Sequence, residues 1–442
     1  MSNDASPAAL SSPARPSPQA RTFAIRLLGT CFAVVAGCGL FNAAVDPYGL
    51  FRWVDRPGFN EVKPRATQAS VAFKYRAVDF LSPQTLLLGN SRAEMGWNPQ
   101  SLPAGRFGSV VNAAMPGKGL DAMIPLAGHA WARSRPATLV IGAEFFDCLE
   151  AGGPPAAPAP QALPWDASAA GPWHRFGTLR AFAAEVFSLD ATVDSLQTLL
   201  AQRNPDAPHL RRDGFQPARD YPRMQAVEGP RKMFLQRDQE NARRRMNGPR
   251  SIRYDDGQLS ECFAALDQLL GKAQERGQAV FVATYPYHAR LLELIANAGL
   301  GPAYEDWKTA LTELVAARQR HGLEVTLRDF GAYHRYAVEP VPSPGQKRSA
   351  PKWYWESGHF RSDLGDRMLA VMFGDLQPEG LFGVALSPAT LAAHLADVRA
   401  SRAEFVAEQP EVVAEMAALS ARACAPADGR QEGRPQHASV CP

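Results

Sequence analysis

The sequence predicts an α/β protein: a doubly wound, mostly parallel sheet of five strands, with an inserted helical and irregular cap and a transmembrane helix at its amino end. Three observations predict it. Short apolar runs such as Thr85–Leu88 and Ala137–Ala143 alternate with segments of helical apolar spacing, the order that builds crossover connections and a parallel sheet. The runs lack the polar alternation of half-exposed strands, as strands covered on both faces do. Ahead of them lies Leu27–Val45, which contains no Asp, Glu, Lys or Arg.

The chain has 442 residues, 46% of them apolar, enough to bury a large core. Residues 1–22, rich in Ala, Ser and Pro, read as a disordered cytoplasmic tail. Residues 23–45 read as the membrane span, because the uncharged run is long enough to cross a hydrocarbon core and Arg21 and Arg26 favour a cytoplasmic amino terminus. A signal-anchor in the inner (cytoplasmic) membrane follows, with the remaining chain on the extracytoplasmic side. Two other readings stay open. Gly29, Gly37, Gly39 and Asn42 weaken the run enough for a buried helix of a soluble protein, and Val35-Ala36-Gly37-Cys38 resembles a lipoprotein box with Cys38 as the lipidated residue. Leu40 and Phe41 continue the apolar run past that cysteine, which favours the uncleaved anchor.

Residues 46–375 read as the α/β domain. Asp46-Pro47-Tyr48-Gly49 is a turn, and residues 64–80 are a helix or irregular approach to the first strand, Thr85–Leu88. Ser109–Ala113 is the second strand, Leu120–Arg133 a helix and Ala137–Ala143 the third strand. Residues 150–256 form the cap: a Pro/Ala/Gly-rich loop over Gly152–Pro172, two helical patterns over Leu179–Leu200, then a basic stretch. Regular order resumes with helix Leu259–Glu275, strand Ala279–Ala283, helices His288–Ala298 and Trp307–Arg320, and strand Leu323–Leu327. Arg361–Phe373 closes the layer. Residues 376–422 are a helical segment, and 423–442 have the composition of a disordered tail.

A charged fraction of 21% and a net charge of +3 do not fit a nucleic-acid partner. The charge is uneven, however: residues 203–254 hold 13 Lys or Arg against 6 Asp or Glu. Such a stretch suits an anionic glycan or phospholipid headgroups, and equally an ordinary solvated loop. The six cysteines form no CxxC pair and no zinc-ligand spacing, and Cys148 and Cys262 could pair in an exported domain. No metal or organic cofactor is implied.

The chemistry centres on Gln84-Thr-Leu-Leu-Leu-Gly-Asn-Ser-Arg92, where a buried strand delivers Ser91 to the carboxyl edge of the sheet. Gly89 removes a side chain that would crowd the serine. A serine hydroxyl needs a base and an orienting carboxylate, and Glu356-Ser357-Gly358-His359 supplies both within one turn. His359 would take the serine proton while Glu356 fixes its tautomer. Taken singly, Ser91 also fits a helix cap, His359 a packed core position and Glu356 an ion pair. Donors for the oxyanion are the Ser91 N–H, the Gly117 N–H in a Pro-Gly-Lys-Gly turn, and the amide of Asn112 or Asn90. Arg92, Glu144, Tyr285 and His288 sit at or beside strand ends as candidate substrate contacts, with His288 also an alternative base.

These segments resemble the blocks of the SGNH, or GDSL-like, hydrolase superfamily, and within it the membrane-anchored bacterial proteins that transfer or remove acyl groups on exported polysaccharides. Gly89-Asn90-Ser91-Arg92 is similar to the nucleophile block, Asn112-Ala113-Ala114-Met115-Pro116-Gly117 to the glycine-donor block, and Glu356-Ser357-Gly358-His359 to the Asp-x-x-His block. The family's asparagine block departs: Gly142-Ala143-Glu144-Phe145 has Glu144 where the resemblance implies an oxyanion asparagine. An ionised carboxylate there would repel a developing oxyanion. The resemblance implies a flavodoxin-like sheet and a serine-dependent esterase or O-acyltransferase acting on an acyl donor or acylated glycan, in the company of envelope or polysaccharide-export partners. A non-catalytic glycan-binding or assembly protein of the same fold is the alternative.

Overall fold

β1 (Thr85–Leu88) has all four residues buried because it runs between two parallel neighbours, β2 (Val110–Asn112) and β3 (Thr138–Ala143). The computed structural model, which describes residues 17–151, 186–246, 250–347 and 349–424, continues the sheet through β4 (Ala279–Thr284) and β5 (Val325–Asp329), both parallel. β6 (Tyr354–Glu356) and β7 (His359–Phe360) form a separate antiparallel hairpin, and β8 (Val384–Ala385) adds a short antiparallel edge to β5. The order of the six-stranded sheet is β2-β1-β3-β4-β5-β8. The five anticipated parallel strands are present; the hairpin and β8, both of three residues or fewer per strand, were not anticipated.

The helices before and within the first crossovers are α1 (Pro18–Val45), α2 (Ser70–Leu81), α3 (Ser91–Gly96), α4 (Ala104–Phe107) and α5 (Met123–Arg133). The insertion contributes α6 (Leu189–Ala201), α7 (Tyr221–Glu228) and α8 (Pro230–Arg245). Then come α9 (Glu261–Gln274), α10 (Ala289–Asn297), α11 (Gly301–Arg320), α12 (Ser362–Met372), α13 (Leu391–Glu408) and α14 (Pro410–Cys424). α2, α5, α9 and α11 touch in succession, while α3 packs against α12. Right-handed crossovers put these two groups on opposite faces of the sheet, since the chain steps one way from β1 to β2 and the other way from β2 through β5.

Several boundaries shift. α1 begins at Pro18, with Ser17 as its N-cap, so residues 18–22 belong to the helix and not to a disordered tail. One face of its last turns is turned inward: Gly39, Asn42, Ala43 and Val45 are buried against the domain, where Asn42 donates to Val186 O (2.8 Å) and Thr192 Oγ1 (3.0 Å). Residues 18–35 of α1 are exposed, and the helix, with a mean hydropathy of 1.9 over an 18-residue window, is long and apolar enough to cross a membrane. The helix expected near 64–80 is confined to α2. The tails at 1–16 and 425–442, and the loop and first helical pattern expected within 152–185, lie outside the described residues.

The carboxyl-terminal helices pack back across the domain. Arg402 pairs with Glu293 (2.9 Å), and Glu415 with Arg290 (2.7 Å) and Arg231 (3.0 Å). At the end of β5, Asp329 is fully buried with Lys308 and His394 each 2.6 Å away. Burial alone would raise that carboxyl; the Lys308 ammonium and the His394 hydrogen bond outweigh it and hold it far below the usual carboxylate range.

Cys148, just beyond β3, is disulfide-bonded to Cys262 in α9. The bridge closes a loop 114 residues long, so the chain-entropy term alone is about 4–5 kcal/mol. Cys148→Ser with Cys262→Ser is therefore expected to lower unfolding stability by about 2–5 kcal/mol in chemical denaturation, and reduction of the wild type to reproduce the loss.

Candidate active site

The Ser91 hydroxyl lies 2.8 Å from His359 Nε2, although 268 residues separate them in sequence. On the other side of the ring, His359 Nδ1 is in a short contact with Glu356 Oε1. Glu356 and His359 face each other across the β6–β7 hairpin, whose tight turn holds them in register. The second oxygen of Glu356 accepts from the Gly358 N–H at 2.7 Å. Burial pushes the Glu356 carboxyl up; His359, Arg237 and the Gly358 N–H together outweigh it and hold the group at about 2. The carboxylate is thus ionised at neutral pH and fixes the proton on Nδ1, leaving Nε2 to accept from the serine.

Local sequence explains how the serine gets there. Asn90 is the N-cap of α3, its Oδ1 accepting from the Arg92 N–H at 3.0 Å, which puts Ser91 at the first helical position. The Ser91 N–H there has no intrahelical acceptor. A Cβ on Gly89 would sit 2.2 Å from the Tyr285 hydroxyl, so glycine makes room for the tyrosine beneath the strand end. Farther along, a Cβ on Gly96 would lie 2.0 Å from the Phe360 ring and one on Gly365 only 1.8 Å from Gly96 O. These two glycines let α3 and the β7–α12 segment approach closely enough for Ser91 and His359 to meet.

Charge then locks the arrangement. Arg92 Nε donates to Gly358 O at 2.7 Å, and its NH1 is in a short ion pair with Glu144 Oε2. Glu144 also accepts from Asn90 Nδ2 (3.0 Å), the Phe146 N–H (3.2 Å) and, in a short contact, the Tyr287 hydroxyl. Its charge is compensated by a guanidinium and its lone pairs are occupied. On the far side of α3, Glu94 is buried in an ion pair with Lys74 (2.9 Å) from α2. Lys74 also donates to Asn112 O at 3.2 Å and, in a short contact, to Gly214 O of the insertion.

The other expected site residues separate into two groups. Gly117 has positive φ (66°), is exposed, and its N–H bonds to no described residue; the loop it belongs to is tied to the segment between β1 and Ser91 by Met115 N–H to Gly89 O at 2.8 Å. Asn90, Arg92 and Glu144 surround the serine. Three others do not serve as expected. Asn112 is fully buried and spends its amide on Ala93 O and Trp97 O, both at 2.8 Å, so it holds the end of α3 and offers nothing to an oxyanion. Tyr285 is only 1% exposed beneath Gly89 and Gly142, out of substrate reach. His288 caps α10, accepting from the Arg290 N–H (3.2 Å) and donating to Glu339 O (2.8 Å); burial lowers its imidazole to about 3, which unfits it as a base.

Two residues went unnoticed in the sequence. Arg237 of α8 reaches Glu356 Oε1 at 3.4 Å, so the insertion contributes to the triad itself. Nothing in the local pattern singles out one arginine among the basic run. Asp147 follows Glu144 in the loop after β3, and burial together with the Glu144 charge raises its carboxyl to about 7 against the pull of Arg92 and Arg245. Much of the basic run is engaged in ion pairs: Arg211 with Asp213, Arg231 with Glu415, Arg244 with Glu240 and Arg253 with Asp306. No group of side chains with metal-ligand geometry occurs among the described residues. The chain matches no family model and no curated protein.

A raised carboxyl stabilises the fold fully below its unfolded value near 4, and that contribution is lost as pH rises through about 7. Asp147→Asn is therefore expected to raise the melting temperature at pH 8 and to change it little at pH 4, in parallel thermal melts of the two proteins.

Proposed function

We propose that the protein is an SGNH-type serine esterase or O-acyltransferase, tethered to the inner (cytoplasmic) membrane, acting on acyl esters of an exported polysaccharide or envelope glycan. The observation that carries this reading is the unbroken Ser91–His359–Glu356 chain, with the hydroxyl already within proton-transfer distance of the imidazole. The parallel β2-β1-β3-β4-β5 order, with Ser91 at the carboxyl edge of β1, also supports it. The exposed apolar α1 and the Cys148–Cys262 bridge fit an exported, anchored chain.

In this reading Ser91 Oγ attacks the acyl carbonyl carbon while its proton passes to His359 Nε2. Glu356 stabilises the imidazolium that results. The oxyanion is met by the Ser91 N–H and the Gly117 N–H. His359 then returns the proton to the departing alcohol, the acyl group remains on Ser91, and a second proton transfer through His359 activates the acceptor. Water as acceptor gives hydrolysis; a sugar hydroxyl gives transfer. Arg92 holds the Glu144 charge away from the oxyanion, and its Gly358 contact keeps the histidine turn in place.

A binding protein of the same fold is the second reading, favoured by Glu144 at the position of the implied asparagine and by the commitment of Asn112 elsewhere. The two are separated by turnover of a small aryl acetate. The enzyme reading predicts serine-dependent turnover, with Ser91→Ala and His359→Gln each lowering kcat at least about a thousandfold while the fold persists by circular dichroism. Equal rates for wild type and Ser91→Ala contradict it.

A further inference from the structure

α6 is amphipathic in the inverse sense. At 3.6 residues per turn, Leu189, Val193, Leu196 and Leu200 fall within about 60° of one another, while Ala191, Ser195 and Thr198 fall on the opposite side. The side facing the protein is the small and polar one: Ala191, Ser195 and Thr198 are buried. The apolar side faces away, with Leu189 84%, Val193 52%, Leu196 51% and Leu200 82% exposed. An aqueous surrounding would select the reverse pattern.

The position of α6 indicates what lies against it. α6 packs beside the last turns of α1: Asn42 donates to Thr192, Ser195 donates back to Asn42 Oδ1 (3.0 Å), and Tyr48 donates to Asp194 (2.8 Å). The Phe187 ring, one residue before the α6 cap, is seated on Gly39. The exposed stripe therefore continues onto the face of α1 that carries Gly39, where Phe32 and Val35 are exposed within about 60° of one another, with Phe187 between the two helices at 56% exposure. Trp53, shortly after the end of α1, is 71% exposed, and tryptophan favours the membrane–water boundary. Arg203 lies exposed just past the carboxyl end of α6, and Arg65 sits at its polar flank, 3.1 Å from Asp194. The exposed Arg203 suits a phosphate headgroup, while Arg65 is held by Asp194 and Gln197.

We propose that α6 lies on the surface of the membrane that α1 crosses, with Leu189, Val193, Leu196 and Leu200 seated among the lipid acyl chains. This rests on α1 as the span and is independent of the Ser91 chemistry. The interfacial helix fixes the orientation of the α/β domain to the bilayer, because α6 is bonded both to α1 and, through Gln202 to Val62 O (2.7 Å), to the segment leading into α2. A tether of one helix alone would leave the domain free to rotate above the surface.

The test uses the full chain in lipid nanodiscs containing phospholipids spin-labelled at a shallow acyl position. Cys31, Cys38, Cys424 and Cys441 are replaced by Ser, and one environment-sensitive fluorophore is attached at Leu196→Cys, at Leu200→Cys, at exposed Glu275→Cys, or at Cys31 restored within α1. The proposal predicts severalfold stronger quenching at 196 and 200 than at 275. Strong quenching at 31 with none above the 275 level at 196 and 200 overturns the interfacial helix and leaves the span standing. Absence of quenching at 31 as well overturns the span and the proposal with it. A second copy, or another part of this chain, as the cover of the stripe would appear as blue-shifted emission at 196 without lipid quenching, which also overturns the proposal.

Discussion

The close approach of α3 to the β6–β7 hairpin is the constraint on which the site depends. Ser91 and His359 arrive from opposite ends of the α/β domain, and their contact requires two backbones to pass where ordinary side chains would hold them apart. Gly96 and Gly365 remove those side chains, and Arg92 bridges from the serine helix to Gly358 O. Packing and hydrogen bonding thus position the hydroxyl before any substrate is present, which is how a site avoids reorganisation during the reaction.

Burying the machinery brings a second problem, since Glu144, Glu94 and Glu356 are all nearly excluded from solvent. Each is paired with a cation: Glu144 with Arg92, Glu94 with Lys74, and Glu356 with Arg237 beside its contact to His359. Removing one partner of such a pair costs about 3–5 kcal/mol, so these ion pairs tie the geometry of the serine to the stability of its surroundings. Lys74 and Arg237 also bind the insertion into the site, one through Gly214 O and the other from α8. The insertion is in this respect part of the wall of the candidate site and not an appendage.

The sheet was legible because buried parallel strands are apolar throughout and short. All five parallel strands lie within two residues of the apolar runs that announced them. Ser91, Glu356 and His359 were legible for a similar reason, since a serine after Gly-Asn at a strand end and a carboxylate three residues before a histidine are both local patterns. What stayed hidden is what arises from contact between distant segments. The amide of Asn112 goes to α3 carbonyls, His288 caps a helix and Tyr285 fills the space left by two glycines, and each of these roles depends on neighbours that local spacing does not name. The hairpin carrying Glu356 and His359 was hidden because strands of three and two residues give no periodic signal.

The central claim is that the Ser91 hydroxyl is activated by His359, and covalent labelling by a fluorophosphonate tests it most directly. Because such reagents phosphonylate only serines made nucleophilic by a neighbouring base, peptide mapping by mass spectrometry is predicted to find the adduct on Ser91 in the wild type and none in the folded His359→Gln protein. An unmodified Ser91 in the wild type, or equal modification with and without the imidazole, would contradict the account.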